Sequence, residues 1–268
     1  MLLCLLAAAA AGPWVKGPGQ HYAKVSGNRF IAGDYVDPQV QDAEGLSYTS
    51  WSAVLYGEVG IAPGLMVHAN LPYLWAANQD LDSGWQYRQR GGGDALVGLD
   101  WQLPLKLPAS IFVQARLPLY ADGDRPPLYP AMGDPNVDLD LQANLGHSTQ
   151  VGPGYLWGVA EGGFRYRSGW ATPGNTLAVD YLNGIPYRGQ VGYAPIRGDR
   201  SLGWIQLELS GLVNLGSDAV SRQWHQVGAG LALSVDSHTH LELGVQRIYV
   251  ARSSSLGDML SLGLSHQR

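Results

Sequence analysis

The chain has 268 residues, with 36 Gly, 14 Tyr and 9 Trp against 3 Phe, and only 15% of its residues are charged. A formal net charge of -5 with no visible basic patch excludes nucleic acid as a partner, because phosphate recognition needs a basic surface. The single cysteine, Cys4, excludes an internal disulfide, and past residue 12 no apolar run reaches the roughly eighteen residues of a spanning helix.

Residues 1–11 join an apolar run to an Ala-x-Ala pattern at Ala9 to Ala11, which reads as an export signal lacking a basic start. Residues 12–268 then form a single domain. Three segments carry its signature, apolar residues recurring with period two as in strands with one apolar face. In DALVGLDWQLP, Ala95, Val97, Leu99, Trp101 and Leu103 share a face opposite Asp94, Asp100 and Gln102. In SIFVQARLPLY, Ile111, Val113, Ala115, Leu117 and Leu119 oppose Gln114 and Arg116, and in NVDLDLQANLG the alternation is nearly complete. Ile205 to Val213 and Val227 to Leu233 repeat the scheme. Each run is about ten residues, the length a tilted strand needs to cross a hydrocarbon layer.

The pattern predicts an all-β fold, a transmembrane up-and-down antiparallel β-barrel of about 12 strands. The predicted strands are 22–36, 46–61, 65–76, 93–104, 109–121, 135–147, 154–168, 184–195, 201–214, 222–235, 238–250 and 256–267. Connections after even-numbered strands are short, and most after odd-numbered strands are longer, at 37–45, 77–92, 122–134 and 169–183. That sorting places both termini in the periplasm and the long loops outside the cell. Tyr73, Trp75, Trp101, Tyr120, Tyr155, Trp157, Tyr187, Tyr193, Trp204 and Trp224 fall near strand ends, as interfacial girdles require. The location this implies is the bacterial outer membrane, with its lipid as one partner.

The polar faces turn inward, so Glu58, His68, Asp100, Arg116, Asp138, Asp140, Glu161, Arg165, Arg188 and Glu208 are the candidate lumen-lining residues. Two readings stay open: the charges pair across the barrel and plug it, or arginines and carboxylates form opposed rows along a polar pathway. Catalytic and metal readings are weaker. No Gly-x-Ser-x-Gly motif occurs, His147 and Asp134 or Asp138 belong at opposite ends of one strand, and His238 with His240 lacks a third ligand nearby. The chain is read as a non-enzyme with no cofactor and no metal. The proline-rich RPPLYPAMGDP at 125–135 is either a stiff surface loop or one folded into the mouth.

The segments SYTSWSAVLYGEVGIAPGLMVHANLPY, GGGDALVGLDWQLPL, GDPNVDLDLQANLG and GVAEGGFRYRSG resemble a broad outer-membrane family named for a phenol-degradation (MetA) pathway. The resemblance runs over most of residues 20–250 and implies a channel or uptake barrel for small solutes, hydrophobic or aromatic ones among them. A non-transporting structural or adhesion barrel and a barrel enzyme are the rivals. The chain departs from the usual aromatic barrel ending, with His266 near the close of DMLSLGLSHQR.

Overall fold

The computed structural model describes residues 13–36, 46–120, 129–130, 132–133, 136–171, 181–198, 200–216, 221–252 and 254–268. The predicted signal at 1–11, the loop at 37–45 and most of 122–134 and 169–183 lie outside these residues.

Fourteen strand segments form one antiparallel sheet: β1 (His21–Val36), β2 (Leu46–Ala62), β3 (Leu65–Asp80), β4 (Gln86–Gly92), β5 (Asp94–Gln102), β6 (Ala109–Pro118) and β7 (Asn136–Val151), followed by β8 (Gly154–Ala171), β9 (Gly184–Arg197), β10 (Arg200–Ser201), β11 (Gly203–Asn214), β12 (Gln223–Ser234), β13 (Thr239–Arg252) and β14 (Ser254–Gln267). β4 and β5 both pair with β3 and make one stave interrupted at Gly93, while β10 is a two-residue piece between β9 and β11, so the staves number twelve. The sheet closes where β1 meets β14, from Tyr22 opposite Gln267 to Val36 opposite Ser254. Closure matters because an open edge would leave unpaired N–H and C=O groups in lipid.

The alternation read from the sequence becomes an inside and an outside. In β7, Asp138, Asp140, Gln142 and Asn144 are buried, whereas Leu139, Leu141 and Leu145 are exposed on the outer surface. The same outer surface carries Val97, Leu99, Val113, Leu207, Leu243 and Leu262. An apolar exterior of this extent is stable against lipid and would be a liability in water.

Two expectations change. The predicted loop at 77–92 is mostly strand: β3 runs on to Asp80, and β4 pairs with it from Gln79 opposite Gln86 to Tyr73 opposite Gly92. The period-two signal fails there because this ribbon pairs on one side only and contains Gln86, Arg88 and Arg90, so it has no apolar face to advertise. Trp157 and Trp204 are not girdle members; each is 5% exposed and belongs to an interior cluster with Val159, Ala194 and Ala232. Tyr73, Trp75 and Trp101 do face outward.

Candidate functional site in the barrel interior

Antiparallel register decides which polar side chains meet, because directly opposed residues on one face have Cβ atoms about 5 Å apart. Asp140 lies opposite Arg165, Asp138 opposite both Arg116 and Arg167, Glu161 opposite Arg188, and Gln190 opposite Glu208. The contacts follow. Arg165 grips Asp140 with two parallel bonds, Nε to Oδ1 at 2.7 Å and the terminal nitrogen to Oδ2 at 2.8 Å, the bidentate geometry that makes such pairs strong. Arg188 holds Glu161 in the same way, with Nε 2.8 Å from Oε2. Arg116 donates to Asp94 at 3.2 Å and lies 3.8 Å from Asp138 Oδ2, the oxygen that Arg167 also approaches at 3.9 Å.

His68 extends the network along the wall. Its ring lies over Gly98, where a Cβ would come within 2.4 Å of it, and reaches Asp100 Oδ2 at 2.5 Å and Gln114 Oε1 at 3.0 Å. The Gln114 amide donates in turn to Asp140 at 3.3 Å, so Asp100, His68, Gln114, Asp140 and Arg165 form one hydrogen-bonded chain across five staves. These charges therefore pair with lateral neighbours. The sequence left open whether such charges pair across the barrel or form opposed rows; for Arg116, Arg165 and Arg188 the ion pairs run between adjacent staves.

The wall from β11 round to β1 is different. Its inward positions include Gly228, Gly230, Gly244, Ser261 and Gly263, and a cavity of about 110 Å³, space for several waters, is lined by Lys24, Trp204, Gln206, Glu208, Glu242, Gln246 and the first four of those small residues. Glu208 accepts from Gln190 at 2.7 Å and Ser210 at 3.0 Å, and Glu242 accepts from Tyr22 at 2.9 Å and Lys24 at 2.5 Å. The glycines create the room: a Cβ at Gly230 would stand 3.1 Å from the Gln206 side chain, and one at Gly263 would stand 2.9 Å from that of Lys24.

Pro13 to Gly17, a segment that sequence reasoning passed over, also occupies the interior. Lys16 forms an ion pair with Glu58 at 3.0 Å in which both side chains are 6% exposed or less. Val15 donates its N–H to Gln102 at 3.1 Å, and Trp14 packs on the Trp157 and Trp204 cluster. The signal available in the sequence was the pair of tryptophans at inward positions of their strands, which an interfacial belt cannot use.

Among the described residues no group of three or more His, Cys, Asp or Glu is arranged to hold a metal ion, and His147 points to the outer surface, away from Asp138. The residues proposed to line the lumen thus divide into a laterally paired wall holding eight of them, Glu58 of β2 bound to Lys16, and Glu208 beside the cavity.

A closed antiparallel barrel with an apolar outside and a polar inside is an outer-membrane β-barrel. No protein-family model and no curated protein matches the sequence. Among solved structures it is similar in fold to the COG4313 outer membrane channel from Pseudomonas putida F1, at 11% identity and a TM-score of 0.64, covering 97% of this chain and 99% of that one. It is also similar to the β domain of the Bordetella autotransporter BrkA (11% identity, TM-score 0.54, 94% of this chain and 100% of that one). The transport unit of the autotransporter AIDA-I from Escherichia coli matches at 9% identity and a TM-score of 0.52, over 92% of this chain and 90% of that one.

Proposed function

We propose that the protein is an outer-membrane channel for small solutes, with passage along the wall from β11 to β1. The observation that carries this reading is the asymmetry of the interior: one wall is filled by paired side chains, while glycines leave a cavity along the other. The fold it shares with a protein described as an outer membrane channel agrees with that reading. Resemblance in sequence implies hydrophobic or aromatic solutes; the carboxylates, amides and hydroxyl around this cavity favour small polar ones, since each polar group there needs a hydrogen-bonding partner once water leaves. Catalysis has less support. His68 is bracketed by Asp100 and Gln114, with no hydroxyl or thiol nucleophile among its hydrogen-bond partners.

Planar-bilayer recording of the purified protein tests the reading. Wild type should give small, resolvable conductance steps, and Gly230→Leu, which fills the cavity, should reduce them. Silence from correctly inserted wild type, or steps of equal size in both proteins, would overturn the pathway.

A further inference from the structure

We propose that residues Pro13 to Gly17 form an internal strap that constricts the proposed pathway at the short-turn end of the barrel, the periplasmic end in barrels of this class. The inference rests on the channel reading and adds the element that limits passage.

The strap is built in, because its contacts reach staves on several sides of the interior. Pro13 is fully buried against β7, where a Cβ at Gly146 would stand 2.3 Å from the proline ring. Trp14 sits on the cluster formed by Trp157 and Val159 of β8, Ala194 of β9, Trp204 of β11 and Ala232 of β12. Val15 is tied to Gln102 at the end of β5, and Lys16 to Glu58 of β2, with its ammonium 5.6 Å from the Tyr22 ring of β1. A chain that touches β7 and β8 through Pro13 and Trp14, and β1 and β2 through Lys16, crosses the lumen. It does not line one wall.

Its return to the wall is specified as well. Gly19, at φ +77°, turns the chain, Gly19 N–H donates to Gly60 O at 3.0 Å, and Gly60 N–H donates to Gln20 O at 3.0 Å. A Cβ at Gly60 would lie 2.1 Å from Gly17 O and 2.5 Å from Lys16 O, so only glycine lets the strap pass this close. Trp204 both supports Trp14 and lines the cavity, which places the strap at the cavity's lower limit. The Lys16–Glu58 ion pair and the Trp14 indole lie outside the strand pairing that gives the barrel its strength, so both can be exchanged without unfolding it.

Two variants in a Cys4→Ser background test the strap in planar bilayers. The first releases it: Trp14→Ala and Lys16→Ala with Glu58→Gln, the last so that no unpaired carboxylate stays buried. The second locks it through Pro13→Cys with Gly146→Cys, adjacent enough for a disulfide. Conductance should rise several-fold in the released protein; in the locked protein it should stay at or below the wild-type level when oxidised and not fall on reduction. Equal conductance in released and wild-type protein, with Gly230→Leu still reducing it, would overturn the strap and leave the channel standing. Silence of all of them, released protein included, would remove the channel and the constriction together. Should the released variant fail to fold, higher conductance in the oxidised lock than in wild type would still overturn the proposal.

Discussion

From β3 to β9 the inward positions carry long charged side chains tied to their lateral neighbours, whereas from β11 to β1 they carry Gly228, Gly230, Gly244, Ser261 and Gly263. The two walls share one backbone pattern and one apolar exterior, so the difference is made entirely by inward side chains. Where register sets an arginine opposite a carboxylate, each charge finds its partner on the next stave and becomes a fixed part of the wall. Where it sets glycine opposite glutamine or glycine, as Gly230 opposite both Gln206 and Gly244, volume is left over. A barrel of about twelve staves, between the sizes that side chains fill and those that stay open, can thus be packed on one side and hollow on the other.

The comparison breaks most sharply if the paired wall proves dispensable. Arg165→Ala should cost about 3–5 kcal/mol in reversible urea unfolding from lipid vesicles, because it strands Asp140 inside the barrel. Replacing both Asp140 and Arg165 by Leu should recover most of that loss, since no lone charge remains. By contrast Gln246→Ala, on the open wall, should change stability by less than about 0.5 kcal/mol. A cheap Arg165→Ala would show that the pairs do not hold the wall.

The inside and outside assignment makes the next largest prediction. Leu141→Arg should cost roughly 2–4 kcal/mol or prevent insertion, as a charge on the lipid-facing surface does near the midplane. Gln142→Ser, on the inner face of the same strand, should insert normally. Equal effects of the two in the same assay would mean that β7 is turned the other way.

The smallest effect concerns how the open wall is held at its rim. The β12–β13 hairpin closes on a turn where Asp236 accepts the N–H groups of His238 at 2.7 Å and Thr239 at 2.9 Å. The His238 N–H is the main reason that its carboxyl ionises below the ordinary carboxylate range. A depressed value means that the stabilisation is present above the unfolded-state value, roughly 3.9, and fades as pH falls through the lower folded-state value. Comparing urea midpoints of wild type and Asp236→Ala should therefore show a small wild-type advantage at neutral pH that disappears in acid. An advantage that grows in acid would contradict the assignment.

How much of this the sequence disclosed follows from what alternation can encode. The run from Val137 to Leu145 revealed a strand, its two faces and the identity of its buried residues, because lipid on one side and a polar interior on the other demand opposite chemistry at successive positions. The partners of Arg116, Arg165 and Arg188 were not legible, since they depend on register between neighbouring staves, and a slip of one residue would reassign them all. Trp157 and Trp204 were misread because a tryptophan near a strand end suits a membrane interface or a buried cluster equally well, and only the strand's parity and the presence of Trp14 decide between them. The β3–β4 ribbon was hidden because Gln86, Arg88 and Arg90 have no apolar partners to alternate with.

The central claim, that solute follows the open wall, is tested most directly by cysteine scanning during bilayer recording. Ser261→Cys on the open wall and Gln114→Cys on the paired wall, each in a Cys4→Ser background, would be exposed to a small charged thiol reagent while current is measured. Modification at position 261 should reduce the current, and treatment of the position 114 variant should leave it unchanged. A block at 114 with none at 261 would contradict the claim, because it would put the pathway on the wall that the ion pairs fill.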